Sequence, residues 1–174
     1  MKKTIWLALA GVFIAMQLIQ PDRKAPVPDP AQDIRQVLQP PADIQTMLEE
    51  ACYDCHSYES KYPWYSKIAP VSWWVSNHIA EGREKLNFST FGTLNAEDRQ
   101  EAFEEAAESV QKGEMPLDSY TWMHAKAKLS ADQRKALVRW FEAYGGEAEL
   151  EPGKGNTAAE KTNAETGESG EADE

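Results

Sequence analysis

Thiols are scarce in this chain: Cys52 and Cys55 are the only two cysteines in 174 residues. That scarcity excludes a disulfide framework and a four-cysteine metal site, because no sulfur is left over once this pair is used. Histidine is nearly as sparse, with three, so a structural zinc site would have to recruit His78 or His124 from distant parts of the chain beside His56. No stretch longer than a few residues alternates apolar and polar side chains as a half-buried strand does. Nothing is therefore available to build the βαβ unit that a thioredoxin-like Cys-x-x-Cys pair needs. Excess positive charge is missing too, with 18 Lys and Arg against 29 Asp and Glu and a formal net charge of −11. Nucleic acid is not an expected partner.

Large apolar residues are almost absent beyond Leu150. Residues 147–174 hold nine acidic residues and two lysines, −7 of the chain's −11, and leave −4 for residues 1–146. Such a segment buries too little surface to offset its ordering entropy and is expected to be a disordered tail. The opposite end is apolar. Met1-Lys2-Lys3 precedes a hydrophobic run from Thr4 to Ile19, at the short end of what spans a bilayer, so residues 1–20 read as a signal anchor or signal peptide. The residues from Met16 to Pro21 supply no small-x-small cleavage site, which favours an uncleaved anchor. The lysines hold the N-terminus on the cytoplasmic side and place everything after Gln20 across the membrane. Residues 21–40, which carry Pro21, Pro26, Pro28, Pro30 and Pro40, read as an extended linker. Residues 41–146 remain as one small domain.

That domain reads as all-α, with about four helices. The first covers residues 41–56, with Ile44, Met47, Leu48 and Ala51 at helical spacing. Pro70 opens a second, whose apolar face is Val71, Trp74, Val75, His78 and Ile79 and extends to Leu86. Asn95 caps a third, striped by Phe103, Ala106, Ala107 and Val110 and stopped at Gly113. A fourth starts at the capping box Ser130-Ala131-Asp132-Gln133, carries Leu137, Trp140, Phe141 and Tyr144 inward, and ends at Gly145-Gly146.

The chemistry lies where the first helix ends. Cys52-Tyr53-Asp54-Cys55-His56 is the Cys-x-x-Cys-His pattern of c-type haem attachment, in which two thiols bond to haem vinyl groups and the histidine binds iron. One covalent haem c is the expected cofactor, with Cys52 and Cys55 holding the ring and His56 as proximal ligand. A bound macrocycle also adds the buried surface that a domain of this size lacks. His56 needs a carbonyl to orient its second ring nitrogen, and the loop from Tyr62 to Pro70 is the expected source. For the distal position, Met115 in Gly113-Glu114-Met115-Pro116 leads. His78, then His124 or Met123, or an open iron, are the alternatives. The aromatic residues Trp64, Trp73, Trp74, Tyr120, Trp122 and Trp140 are expected to pack porphyrin and core. Arg83 and Lys85 are candidate donors to the haem propionates.

The segments Cys52 to Ser57, Tyr62-Pro63-Trp64-Tyr65, Pro70 to Val75, His78-Ile79 and Glu81-Gly82-Arg83 resemble the bacterial haem-binding domain family of small c-type cytochromes. Gly113 to Leu117, Tyr120, His124 and Ala127 to Ser130 continue that likeness. The resemblance implies a monohaem domain held at the membrane and facing the periplasm. The helix order and Met-Pro loop are also similar to class I cytochromes c, which implies a small cytochrome c-like fold with His56 and Met115 as the ligand pair. The expected function is electron carriage between redox partner proteins, with no catalytic residues. The alternatives are a haem sensor or peroxidase-like enzyme using His78, His124 or Arg83, and an accessory subunit docked by its acidic tail.

Overall fold

The structure, a computed structural model, describes residues 2–145; the acidic tail expected over 147–174 lies outside the described residues. Within them the chain is all-α, as its patterning predicts. Eight α-helices follow in order: α1 (Lys2–Met16), α2 (Ile34–Val37), α3 (Ala42–Ala51), α4 (Tyr53–His56), α5 (Val71–Lys85), α6 (Ala96–Lys112), α7 (Asp118–Thr121) and α8 (Ala131–Gly145). Short 3-10 turns at Pro30–Gln32, Trp64–Lys67, Phe88–Thr93 and Ala125–Ala127 fill the connections.

Two of the domain's long helices, α6 and α8, begin at side-chain caps. Asn95 accepts from the Asp98 amide at 2.9 Å and so caps α6, while Gly113, at φ 79°, closes it in the left-handed conformation that glycine adopts without strain. The Ser130 amide donates to Gln133 Oε1 at 2.9 Å and the Gln133 amide returns to Ser130 Oγ at 3.2 Å, completing the capping box of α8. The expected first helix is instead two. It breaks at Cys52, whose ψ of −39° is helical but whose φ of −123° is not, giving α3 and α4.

The core forms where α6 packs along α8, with α3 and the 88–93 turn closing it. Phe103 is fully buried there, its ring 5.1 Å from Phe91, 5.3 Å from Phe141 and 5.7 Å from Trp140. Phe88 and Phe91 were not signalled by helical periodicity, because they sit on a 3-10 turn whose repeat is too short to show one. The inward face of α5 also differs from expectation. Ser72 and Ile79 are buried, while Val71 and Trp74 face out. Here packing against the motif segment overrides the apolar stripe.

The domain begins earlier than residue 41. Within the segment expected as linker, Ile34 is fully buried and Leu38 nearly so. Asp33, also buried, accepts at Oδ1 from Arg35 Nε (2.8 Å) and from the Tyr53 hydroxyl (2.8 Å), and Arg35 lies over the Tyr53 ring. Ile34, Val37 and Leu38 form a one-turn apolar face that the surrounding prolines conceal. A Cβ at Gly92 would collide with Gln32, which shows how closely this strap lies on the 88–93 turn.

The α1 helix has 15 residues, roughly 22 Å at about 1.5 Å per residue. No helix among the described residues is long and apolar enough to cross a membrane.

Ile34→Ala is expected to destabilise the domain by about 2–5 kcal/mol, as for other buried aliphatic truncations. Val27→Ala, at a residue 95% exposed, should fall within about 0.5 kcal/mol of the parent. Denaturant unfolding measures both, and equal effects would return residues 21–40 to a linker.

Candidate functional site

The break at Cys52 sets the geometry of the site. The Cys55 and His56 amides both donate to the Cys52 carbonyl, at 3.1 and 2.9 Å, so the pentapeptide closes into one tight turn. The chain after it is locked. Buried Ser57 donates to the Tyr53 carbonyl (2.7 Å) and accepts from the Glu59 amide (2.9 Å). Arg83 reaches over from α5 to donate to the Ser57 carbonyl (2.8 Å) and to Ser60 Oγ (2.9 Å).

The α5 helix lies directly against this turn. A Cβ at Gly82 would stand 3.1 Å from the Cys55 carbonyl oxygen and 3.4 Å from Cys55 Cβ, so glycine lets the two backbones meet. One turn further on, the Leu86 carbonyl lies 2.9 Å from His56 Nδ1. With the proton on Nδ1, His56 donates to Leu86 and its Nε2 keeps a free lone pair. Burial pushes the imidazole below its usual range, which favours the neutral ring that binds metal. The orienting carbonyl thus comes from the end of α5, not from the loop 62–70. Loop residues precede α5 in the chain, whereas the residue that caps its C-terminal end reaches the ring.

Cys52, Cys55 and His56 line one cavity of about 520 Å³, within the range of roughly 300–1,000 Å³ typical of cofactor sites. Apolar side chains dominate its walls, among them Leu86, Phe88, Val110, Leu117 and Phe141. Burial pushes the Cys52 thiol up to about 12, with Cys55 adding to it, and pushes the Cys55 thiol up to about 11 with help from Asp54. Both stay neutral near pH 7, unlike the lowered thiol of a redox pair. Among the described residues no group of three or more His, Cys, Asp or Glu is placed to hold a metal ion. A zinc site on this pair therefore lacks its remaining ligands. A macrocycle that takes two neutral thiols, one neutral imidazole and apolar walls fits this donor set.

Met115 lines the same cavity and packs against the core. Its loop is held from two sides: the Glu114 and Met115 amides donate to the Ser109 carbonyl (3.0 and 3.2 Å), and Arg134 of α8 donates to the Val110 and Met115 carbonyls (2.5 and 3.2 Å). His78 also lines the cavity, with Nδ1 2.9 Å from the Trp74 carbonyl. It shares α5 with Gly82, the residue that packs on Cys55. His124 does not line the cavity. Its Nδ1 faces the Tyr120 carbonyl (3.0 Å), its Nε2 faces the Tyr65 hydroxyl (3.4 Å), and its ring stacks on Tyr120. Met123 points to solvent.

Sequence reasoning missed a further tie. The Tyr120 hydroxyl donates to Asp54 Oδ2 at 2.7 Å, linking α7 to the middle of the pentapeptide, and burial together with this bond raises the phenol. The one sequence signal at Gly82 is a glycine inside a helix, where a packing reason offsets its low propensity. Arg83, expected as a propionate donor, is absent from the cavity lining and commits its Nε and Nη2 to Ser57 and Ser60. Lys85 remains at the cavity rim, 3.7 Å from Glu105. The aromatic residues divide: Trp140 is in the core, whereas Trp64, Trp74 and Trp122 face solvent.

The sequence model of a family described as a haem-binding domain matches residues 11–143. No curated protein and no solved structure matches the chain.

Arg83→Met keeps the length of the side chain but removes both hydrogen bonds. It is expected to destabilise the domain by about 1.5–3 kcal/mol while leaving the reduction potential unchanged. Thermal unfolding and redox titration separate these effects; a shifted potential with unchanged stability would restore the propionate assignment.

Proposed function

The chain belongs to the haem-binding domain family, and from that premise we propose that it is a monohaem c-type cytochrome carrying electrons between redox proteins. The observation that carries this reading is the single cavity wall formed by Cys52, Cys55 and a neutral His56 oriented by the Leu86 carbonyl. Haem supplies a one-electron iron couple when bound. Cys52 and Cys55 fix the ring through thioether bonds. His56 offers Nε2 to the iron, and Leu86 prevents the ring from turning away.

Met115 is the proposed distal ligand. Its support is a cavity-lining loop pinned to α6 and α8, which holds the thioether without demanding movement during electron exchange. A filled distal position suits a carrier, because nothing has to bind at the metal for an electron to pass. The walls around the ring are mainly apolar, and His78, Glu81, Lys85, Glu105, Ser109 and Tyr120 supply their polar groups.

A sensor or peroxidase-like reading needs a distal acid or base. Arg83 and His124 are engaged elsewhere, which leaves His78 as its one support. For localisation we propose the periplasmic side of the inner membrane, with the apolar N-terminal segment as anchor. The support is the basic flank before the run and the exposure of its large side chains, including Ile5, Leu7, Val12 and Ile14.

Met115→Ala is expected to abolish the long-wavelength sulfur-to-iron band of the oxidised protein and lower its potential, whereas His78→Ala should change neither. The reverse pattern would assign His78. The reduced parent protein should bind carbon monoxide slowly or not at all; rapid binding, seen by stopped-flow absorbance, would favour the sensor or enzyme.

A further inference from the structure

The segment that follows α1 is fastened to the domain. Gln17 grips Ala69 from both sides, with its Nε2 donating to the Ala69 carbonyl (3.2 Å) and its Oε1 accepting from the Ala69 amide (2.9 Å). Trp73 Nε1 donates to the Ile19 carbonyl (2.6 Å), and Arg23 donates to the Ser66 carbonyl (2.6 Å) while lying over the Tyr62 ring. The apolar run thus ends against the 64–73 face, without a free spacer between them.

That same face exposes large apolar side chains. Trp64 is 69% exposed, and Ile68, Val71 and Trp74 continue the surface onto the first turn of α5. Tyr65 touches the Trp64 ring and meets His124, which brings in Trp122, 91% exposed, and Met123. The charge pattern of the two segments is unusual for so acidic a chain. Residues 60–80 contain Lys61 and Lys67 and no Asp or Glu, and residues 119–131 contain Lys126 and Lys128 and no Asp or Glu, Lys126 lying 3.5 Å from Glu50.

We propose that this face lies on the bilayer, with the tryptophans at headgroup level and the lysines among anionic lipid headgroups. The inference rests on reading α1 as a membrane anchor. Three observations favour lipid over a protein partner. Tryptophan bodies with basic neighbours are the composition of membrane interfaces. The run from Thr4 to Ile19 would extend only about 24 Å as helix, short of a hydrocarbon core of roughly 30 Å, and a short helix draws its flanking residues into the interface. The clasp at Gln17, Ile19 and Arg23 leaves no slack by which the domain could stand away from that interface.

The test uses the full haem-loaded chain in vesicles of phosphatidylcholine, with or without phosphatidylglycerol, each containing a diazirine-bearing phospholipid. Flotation reports insertion, and mass spectrometry maps the photo-cross-links. The chain should float, with cross-links in α1, at residues 64–74 and at 122–123, the last two sets rising with phosphatidylglycerol. Trp64→Ser combined with Trp122→Ser should still float and retain its haem spectrum, but lose most of the domain cross-links. Flotation with cross-links confined to α1 would overturn the docking surface in favour of an acidic protein partner and leave the anchor intact. Failure to float would overturn the anchor, and the inference with it. Domain cross-links indifferent to phosphatidylglycerol would overturn the role given to the lysines.

Discussion

The hydrogen bond between His56 Nδ1 and the Leu86 carbonyl is the constraint on which the site depends. It fixes the tautomer, aims Nε2 into the cavity and couples the pentapeptide to the end of α5. That coupling requires α5 to lie close enough for the bond to form, and Gly82 supplies the clearance against Cys55. Arg83, on the same helix, then ties down the chain beyond His56. The α5 segment therefore supports Cys55, the imidazole and the chain beyond it.

The sequence made parts of this plain. Residues with one strong local job were legible: the Asn95 cap, the Gly113 stop, the Ser130 capping box and the Cys-x-x-Cys-His spacing each act within a few residues of themselves. Properties that depend on distant partners were not. The carbonyl facing His56 lies 30 residues away, and any carbonyl in the chain has the same chemical identity, so sequence could not choose Leu86. The inward face of α5 does not follow its apolar stripe, because Ser72 and Ile79 are buried while Val71 and Trp74 face outward. The strap from Asp33 to Leu38 was concealed by proline density, although Asp33, Arg35 and Tyr53 form a network that no linker would need.

These corrections change how the ends of the chain relate to the site. A flexible spacer between apolar run and domain would let the haem pocket sample many orientations. The clasp of Gln17 and Trp73, with the strap that follows, holds the run against the face that begins α5. Since α5 also carries the support of His56, the orientation of the pocket relative to the N-terminal helix is fixed by the fold. For the electron carrier proposed above, a fixed orientation narrows the set of surfaces that a redox partner can approach.

Everything proposed for this protein rests on Cys52, Cys55 and His56 holding haem covalently. The most direct measurement is the intact mass of the denatured, purified chain after co-expression with haem-attachment machinery. The account predicts a species heavier than its polypeptide by one haem, and bare polypeptide when Cys52 and Cys55 are both replaced by serine. Haem released from the parent chain by acidic acetone, leaving an unmodified polypeptide, would contradict it.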